Sequence, residues 1–191
     1  MGKIALTQLT SLDGVMQSPG PKDVPFKYRG WAVEFDSGPD FDRFKLEEAQ
    51  NAEALLLGRV TYEAMRAFWP TAEGEYADRL NELPKYVVSS TLTDPHWNAT
   101  VLGDDWPQQV ARLRKELDGE LLVYGSRRLS RELVGMGLVD ELRLLVYPVV
   151  LGAGARLFGE TQDKIPLRLV ESRPFGAGVV SMIYAPAMAA G

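Results

Sequence analysis

The sequence contains no cysteine and only one histidine, His96. The absence of cysteine excludes disulfides, thiolate metal ligands and cysteine nucleophiles. A zinc site needs several histidine or cysteine ligands, which argues against zinc-dependent hydrolysis and deamination, and no metal site is predicted. A Ser-His-Asp triad would have to use His96. This residue lies in the polar, turn-like segment TDPHWNAT, and a triad is not favoured there.

Positive charge and long apolar runs are also scarce. The chain has 21 Lys and Arg residues against 26 Asp and Glu residues, which gives a net charge of -5. Such a chain has no basic field for nucleic acid or an anionic membrane, so neither partner is expected, and an anionic ligand must be bound by local groups. No apolar run approaches the ~20 residues of a membrane span. The first run, IALTQL, is too short and polar for a signal peptide, so a cytoplasmic location is expected.

The apolar segments that are present predict one α/β domain over residues 1–191. Hydrophobic residues make up 46% of the chain and charged residues 25%, which is typical of a soluble globular protein. Short apolar runs typical of strands lie at residues 3–9, 54–58, 86–90, 120–125 and 140–152. Amphipathic segments typical of helices lie at residues 41–52, 60–69, 107–117 and 126–137.

The alternation of strands and helices through residue 137 predicts a sheet that is mainly parallel and flanked by helices. The C-terminal segment 167–186 is typical of a hairpin that turns at residues 176–178, so antiparallel pairing completes a mixed sheet. Residues 17–39 form a long loop with several prolines and glycines. Long loops within compact domains are more often functional than idle.

Two strand-to-helix junctions, LLLGRVT and LVYGSRRL, have the same composition. Each places a glycine after an apolar strand, followed by an arginine and a hydroxyl at the start of a helix. Free N–H groups and partial positive charge at a helix N-terminus suit phosphate, and glycine lets phosphate approach the backbone. Two such junctions at adjacent strand ends would hold one dinucleotide. Alternatively, the glycines only end the strands and the arginines are solvated, since neither junction matches the Rossmann or P-loop pattern.

Five segments carry a resemblance to a known family. In order along the chain, GRVTY (58–62), VVSS (87–90) and VYGSRRL (123–129) resemble the cofactor segments of the dihydrofolate reductase fold. SLDG (11–14) and YPVVLGAGARLF (147–158) are similar to the reductase domain of the bifunctional riboflavin-biosynthesis enzyme and its stand-alone relatives. The resemblance runs from about Lys3 to Ala185 and implies a single domain of the dihydrofolate reductase type.

The resemblance implies NADPH as the hydride donor. It assigns one group of residues to the cofactor phosphates, a second to the adenosine part, and a third to the pyrophosphate. In that order these are Gly58, Arg59 and Thr61; Ser89 and Ser90; and Gly125 and Ser126, followed by Arg127 and Arg128. Arg59 would face the 2′-phosphate that distinguishes NADPH from NADH. Ser126 stands where the family usually has a second glycine.

Three residues are candidates for the substrate pocket. The resemblance of SLDG to the riboflavin-type motif implies that Asp13 contacts the substrate or helps to deliver a proton, whereas an Asp-Gly turn is the alternative. Asp40 keeps the acid-x-x-x-Phe spacing of the folate-type reductases, but it also suits the N-cap of the helix at 41–52. Trp31, in an aromatic-rich loop, is expected either to line the pocket or to lie in the core.

The expected function is therefore NADPH-dependent reduction of a small heterocyclic or ribosylaminopyrimidine-type substrate, of which 5-amino-6-(5-phosphoribosylamino)uracil is an example. Reduction of folates or pterins is one alternative, and a catalytically silent nucleotide-binding module is another. Riboflavin-type relatives are often homodimers. The apolar segment 147–158 would suit either an interface or the core, so a homodimer is a further expectation.

Overall fold

The computed structural model describes residues 1–21, 23–159 and 164–187, and the strands within these ranges form one sheet. In chain order the strands are β1 (Lys3–Ser11), β2 (Ala52–Gly58), β3 (Lys85–Val88), β4 (Ala99–Leu102), β5 (Glu120–Tyr124), β6 (Glu141–Tyr147), β7 (Leu167–Pro174) and β8 (Val180–Pro186). The helices are α1 (Pro39–Asn51), α2 (Arg59–Arg66), α3 (Glu75–Glu82), α4 (Trp106–Glu116) and α5 (Arg127–Gly135). Short 3₁₀ turns lie at Trp31–Glu34, Trp69–Thr71 and Gly176–Gly178.

The strand order across the sheet is β4-β3-β2-β5-β1-β6-β8-β7. Strands β1 to β6 pair in parallel, whereas β8 runs antiparallel to both β6 and β7. This mixed sheet with a C-terminal hairpin confirms the α/β architecture predicted from the sequence. Because β3, β2, β5 and β1 are consecutive and parallel, their carboxyl ends share one edge, which is where ligands bind in open α/β sheets.

Strands β2 and β5 are almost entirely apolar because helices cover both faces of the sheet. Residues 54–57 of β2 are fully buried, two on each face. One face packs against α4 and α5 through residues such as Val110 and Leu133. The other packs against α1, α2 and α3 through Ala49, Tyr62 and Leu80. The sheet is therefore a rigid support for the loops at its carboxyl edge.

Helix α1 begins two residues before the predicted boundary. Gly38 is the N-cap and Pro39 occupies the first helical position, where the missing N–H and fixed φ of proline are favourable. The prediction that Asp40 caps this helix is therefore wrong. Asp40 lies within the first turn, where its negative charge still interacts favourably with the helix dipole.

Other element boundaries also differ from those predicted. The strand predicted over residues 140–152 ends at Tyr147, because Pro148 has no N–H to donate to a sheet ladder. Helix α3 and strand β4 were not predicted: α3 buries only Ala77 and Leu80, and β4 is a four-residue edge strand. Within the ranges given above, none of the helices has the length and apolar character needed to cross a bilayer.

Candidate functional site

The two junctions singled out in the sequence are joined by hydrogen bonds of Ser126. The Gly58 amide donates to Ser126 Oγ over 2.9 Å, and the Ser126 amide donates to Thr61 Oγ1 over 2.9 Å. Ser126 Oγ also donates to the carbonyl of Tyr124 over 2.9 Å. The end of β2 and the end of β5 are thus fastened to each other at the point where α2 and α5 begin.

The turn between β5 and α5 needs a left-handed backbone at two successive residues. Gly125 has φ +52° and Ser126 has φ +54°, and the peptide bond between them is trans. A Cβ atom at position 125 would lie 3.3 Å from Thr61 Oγ1, so glycine suits both the conformation and the close approach. At position 126 the three hydrogen bonds of the serine offset the ~1–2 kcal/mol that a left-handed residue costs. This accounts for a serine where the family usually has glycine.

A cavity of about 1480 Å³ opens above these junctions at the carboxyl edge of the sheet. All nine predicted cofactor residues line it: Gly58, Arg59, Thr61, Ser89, Ser90, Gly125, Ser126, Arg127 and Arg128. The cavity extends from residues 88–91, 103, 104 and 106 at one end to residues 16–21, 23 and 24 and the segment 32–38 at the other. The structure therefore brings three separate sequence segments into one site.

Arginines lie at the starts of α2 and α5, beside the cavity. The Arg59 guanidinium is 3.0 Å from the Glu63 carboxylate, and both side chains are about half exposed. Such an exposed pair contributes little stability, so Arg59 can exchange Glu63 for an anionic ligand at small cost. Arg127 and Arg128 occupy the first turn of α5, where the first backbone amides of a helix have no intrahelical acceptor.

The detailed hydrogen bonding changes two of the expected roles. The resemblance implied that the Ser126 amide meets a pyrophosphate, but this amide already donates to Thr61. The amides at the start of α5 are better placed for an anion. Ser89 Oγ accepts from the amides of Thr91 and Leu92, at 3.1 and 3.0 Å, so this hydroxyl shapes the turn after β3. Ser89 and Ser90 still line the end of the cavity that follows β3.

Asp13 does not line the cavity. Its carboxylate accepts hydrogen bonds from Ser11 Oγ at 2.6 Å and from the amides of Leu151 and Gly152 at 3.1 and 3.0 Å. The Arg156 guanidinium lies 3.3 Å away. The hydrogen bond from Ser11, together with those from the two amides, lowers the pKa of Asp13 to about 2. The geometry thus favours the structural alternative, in which Asp13 ties the end of β1 to the segment 147–158, over contact with a substrate.

Asp40 and Trp31 are also placed outside the cavity lining. The side chain of Asp40 is 61% exposed and pairs with Arg43, because Asp40 lies on the face of α1 opposite to the cavity. Trp31 is 1% exposed, donates its indole N–H to the carbonyl of Gln17, and packs edge-to-face on Tyr147. The structure does not bring these two predicted substrate residues to the cavity: Asp40 points to solvent, and Trp31 belongs to the core beneath the loop, as its alternative expected.

A charged network at the cavity floor was not predicted from the sequence. Lys45 lines the cavity and pairs with Glu48, which lies one turn later on α1. Glu48 also accepts from Thr7 Oγ1 at 2.5 Å and from Arg143 at 3.3 Å. Arg143 in turn contacts two further carboxylates, Glu120 and Glu141. The lysine and glutamate three residues apart in FKLEEA were the available signal, but this spacing is also common on solvated helix faces.

Two tyrosines complete the cavity floor beside Lys45. The Lys45 ammonium lies 4.3 Å from the ring centroid of Tyr124, which is a favourable cation–π distance. The hydroxyls of Tyr76 and Tyr124 are 3.2 Å apart, and both residues line the cavity. Burial raises the pKa of both phenols, so each is a neutral hydrogen-bonding group at physiological pH.

The sequence matches a known protein family. A model of the RibD C-terminal domain family matches residues 2–181, which is nearly the whole chain. The chain belongs to the RibD C-terminal domain family. This result confirms the resemblance to the riboflavin-type reductase domain that the sequence motifs indicated. Family membership, together with the fold, supports a reductase activity.

Individual relatives agree with this assignment. The uncharacterized protein YyaP of Bacillus subtilis (strain 168) is 31% identical over 137 residues, which cover 69% of this chain and 73% of YyaP. A structure described as a riboflavin biosynthesis protein from Shewanella sp. PV-4 superposes with a TM-score of 0.78 at 20% identity, covering 97% of this chain and 99% of that one. Dihydrofolate reductase from Enterococcus faecalis, complexed with NADP(H) and RAB-propyl, gives 0.65 at 15% identity and 96% coverage of both chains. The two structures establish that the fold is of the dihydrofolate reductase type.

Proposed function

We propose that this protein is an NADPH-dependent reductase that transfers a hydride to a small heterocyclic or ribosylaminopyrimidine-type substrate. The observation that carries the proposal is the convergence of nine residues, from the ends of three parallel strands, on one cavity of about 1480 Å³. Cavities for drug-sized ligands are ~300–1,000 Å³, so this one has room for a dinucleotide and a second small molecule.

The residues present fit a phosphorylated dinucleotide. Gly125 leaves the backbone open beside Thr61, and the start of α5 offers amides and two arginines to a pyrophosphate. Arg59, at the start of α2, would bind the 2′-phosphate in place of its exposed contact with Glu63. Ser89 and Ser90 would lie beside the adenosine part, at the far end of the cavity.

The chemistry of the proposed reaction is divided between cofactor and protein. A bound nicotinamide supplies the hydride, and the protein supplies orientation, exclusion of water and a proton. The hydrogen bonds that Ser126 makes with Gly58 and Thr61 fix the starts of α2 and α5 relative to each other, which would position the dinucleotide. Residues 16–21, 23 and 24, together with the segment 32–38, would cover the substrate end of the cavity.

Folate reduction is less well supported than reduction of a riboflavin-type substrate. The folate alternative depended on Asp40, whose carboxylate faces solvent and pairs with Arg43. On the cavity face of α1 the corresponding charged side chains are Asp42 and Lys45. The Lys45 ammonium at the floor suits a substrate that presents hydrogen-bond acceptors there.

The proposal is tested by the affinity of the protein for NADPH and NADH, measured by fluorescence titration. Wild type should bind NADPH more tightly, because charge-assisted hydrogen bonds to a 2′-phosphate contribute ~1.5–3 kcal/mol. Arg59→Ala should lower the NADPH/NADH affinity ratio by about 10- to 100-fold while leaving NADH affinity nearly unchanged. Arg66→Ala is the matched control, since Arg66 is exposed on the same helix but does not line the cavity.

Two results would contradict this proposal in different ways. An affinity ratio that stays the same in Arg59→Ala would show that another group selects the cofactor. Tight NADPH binding without oxidation of NADPH, across a panel of ribosylaminopyrimidines, pterins and folates, would favour a catalytically silent nucleotide-binding module.

A further inference from the structure

Lys45 occupies a position that the cofactor does not explain. The residues of α1 that line the cavity are Gly38, Phe41, Asp42 and Lys45, which follow the spacing of one helix face. Lys45 is the last of them and reaches the floor, where its ammonium meets the ring of Tyr124. Tyr124 directly precedes Gly125, so this ammonium lies close to the end of β5, beside the proposed dinucleotide site.

Glu48 fixes the Lys45 ammonium through an ion pair. The side chain of Glu48 is only 3% exposed, and its carboxylate receives three groups: the Lys45 ammonium, the Thr7 hydroxyl and the Arg143 guanidinium. These partners come from α1, β1 and β6, so three elements fix the carboxylate. An ammonium group has three N–H donors, and the ion pair with Glu48 leaves donors available on the cavity side.

Stability does not account for this arrangement. Burying an ion pair requires desolvation that often exceeds the attraction between the charges, and apolar replacements of similar volume are frequently as stable. Buried charges with shifted pKa values beside a cavity are characteristic of functional sites. Lys45 combines a buried, fixed carboxylate partner with access to the cavity of about 1480 Å³.

We infer that Lys45 is the catalytic acid of this site and that Glu48 is its positioning residue. The inference rests on the proposed reductase function and deepens it, because an acid of this kind requires a substrate with a carbonyl or imine group as the hydride acceptor.

The reduction adds a hydride and a proton to the substrate. A hydride from the reduced nicotinamide forms a C–H bond at the carbonyl or imine carbon, and the π electron pair moves to the oxygen or nitrogen. An N–H bond of the Lys45 ammonium breaks and its proton goes to that atom, which leaves a neutral amine on Lys45. Solvent returns the proton when product leaves. The imine or carbonyl is reduced, and the dihydronicotinamide is oxidised.

Several charged or titratable groups surround Lys45. Glu48 and Asp42 are on its own helix, Tyr124 is on β5, Tyr76 is on α3, and Arg143 faces Glu48 from β6. Burial lowers the pKa of Lys45, Glu48 opposes this by favouring the ammonium, and Arg143 adds to the lowering. A lysine with a lowered pKa transfers its proton more readily near neutral pH than a solvated lysine does.

The first experiment measures single-turnover oxidation of NADPH with the probe 5-amino-6-(5-phosphoribosylamino)uracil from pH 5 to pH 10. Wild type should show an alkaline limb, because the rate falls as Lys45 loses its proton. Lys45→Met should lower the rate by ~100-fold or more, the usual contribution of an acid catalyst. Lys45→Arg should lose the alkaline limb, since guanidinium stays protonated throughout this range. Lys115→Met, an exposed site on α4, is the matched control.

Glu48→Gln tests the positioning role. Removing the carboxylate charge takes away the group that favours the ammonium, so the alkaline limb should move to lower pH while NADPH affinity stays the same. A merely structural role would change the melting temperature without moving the pH profile. A rate for Lys45→Met within about twofold of Lys115→Met, at equal NADPH affinity, would overturn the inference.

An NMR experiment distinguishes failure of this inference from failure of the proposed function. Lysines are labelled by reductive ¹³C-methylation, and the Lys45 signal is identified by its absence in Lys45→Arg. This signal should titrate below those of exposed lysines and should shift when the pyrimidine probe is added, with or without NADP⁺. If the signal shifts but wild type does not bind NADPH, only the cofactor proposal fails. If it does not respond to the probe, Lys45 does not contact the substrate.

Discussion

Ser126 forms side-chain hydrogen bonds at a position where a glycine would offer only its backbone. Its φ of +54° lies in the region that glycine adopts freely, yet the residue keeps a hydroxyl that accepts from the Gly58 amide and donates to the Tyr124 carbonyl. A second glycine would reach the same conformation without these bonds. The exchange therefore links the two junctions of the site at the residue scale.

Asp13 provides a residue-scale prediction about stability. Because its folded-state pKa is lowered to about 2 from the ordinary 3.8, the ionised carboxylate stabilises the fold above pH 4, and this contribution is lost as the pH falls toward 2. Asp13→Asn should lower the melting temperature at pH 7 by about 2–4 °C, the effect of ~1 kcal/mol in a protein of this size. Thermal unfolding at pH 7, 5, 4 and 3 should show the difference narrowing at the acidic end.

Activity distinguishes this interpretation of Asp13 from the catalytic one. Since Asp13 lies outside the cavity lining, Asp13→Asn should keep a rate within about twofold of wild type at temperatures where both are folded. Asp118→Asn, at an exposed turn, serves as the reference for a neutral amide substitution. A rate lowered by ~100-fold in Asp13→Asn alone would restore the catalytic role that the sequence motif implied.

At the scale of elements, the site depends on how the β2–α2 junction meets the β5–α5 junction. Thr61 is the acceptor for the Ser126 amide, and its methyl group lies 3.4 Å from where a Cβ of residue 125 would be. The hydroxyl proton of Thr61 can still be donated to a phosphate, because a hydroxyl both accepts and donates. The two helix starts therefore form one unit rather than two independent phosphate sites.

Thr61→Val tests this coupling. Valine keeps the shape but removes the acceptor, so the Ser126 amide is left unsatisfied and the free energy of unfolding should fall by about 1–3 kcal/mol. NADPH affinity, measured by fluorescence titration, should fall about tenfold because the start of α5 is no longer fixed. Thr61→Ser keeps the hydroxyl and should retain most of both properties. A loss of affinity and stability in Thr61→Ser, with both retained in Thr61→Val, would show that the methyl group, not the hydrogen bond, matters.

The sequence predicted those elements whose signals are local. Apolar runs identified the buried strands β1, β2 and β5, and the pattern of strand, glycine and arginine identified both junctions. Strand β4 was missed because four residues at a sheet edge bury too little to leave an apolar pattern. Asp40 was misplaced for a different reason: Pro39 sets the start of α1 one position before it, which turns Asp40 to the solvent face.

In the candidate site, too, residues with a local sequence signal could be predicted, and residues brought together only by tertiary packing could not. The glycines, hydroxyls and arginines that line the cavity from β2, β3 and β5 could be predicted to lie together, because each segment carries its own local signal. The Lys45–Glu48 pair could not be separated from an ordinary surface pair on a helix, since its burial depends on Thr7 and Arg143 from distant strands. Tertiary packing alone brings these groups to the cavity floor beside Tyr124.

At the scale of the whole molecule, β7 leaves one edge of the sheet without a neighbouring strand within the described residues. An exposed, apolar edge strand is a ready template for pairing with another chain. In β7, Leu167 and Leu169 are 38% and 50% exposed, and Val170 is 49% exposed. Two identical strands that pair antiparallel across this edge would generate the two-fold symmetry of most homodimers. We therefore expect the homodimer indicated by the family resemblance to form through β7.

Light scattering coupled to gel filtration tests this expectation. Wild type should elute with twice the mass of one chain, and Leu169→Lys should shift it to the monomer, because a buried charge at the centre of the interface is costly. Val150→Lys is the matched control: Val150 is also exposed, at 68%, but belongs to the segment 147–158 rather than to β7. Dissociation by Val150→Lys with retention of the dimer in Leu169→Lys would place the interface on that segment instead. A monomeric wild type at all concentrations would contradict both surfaces.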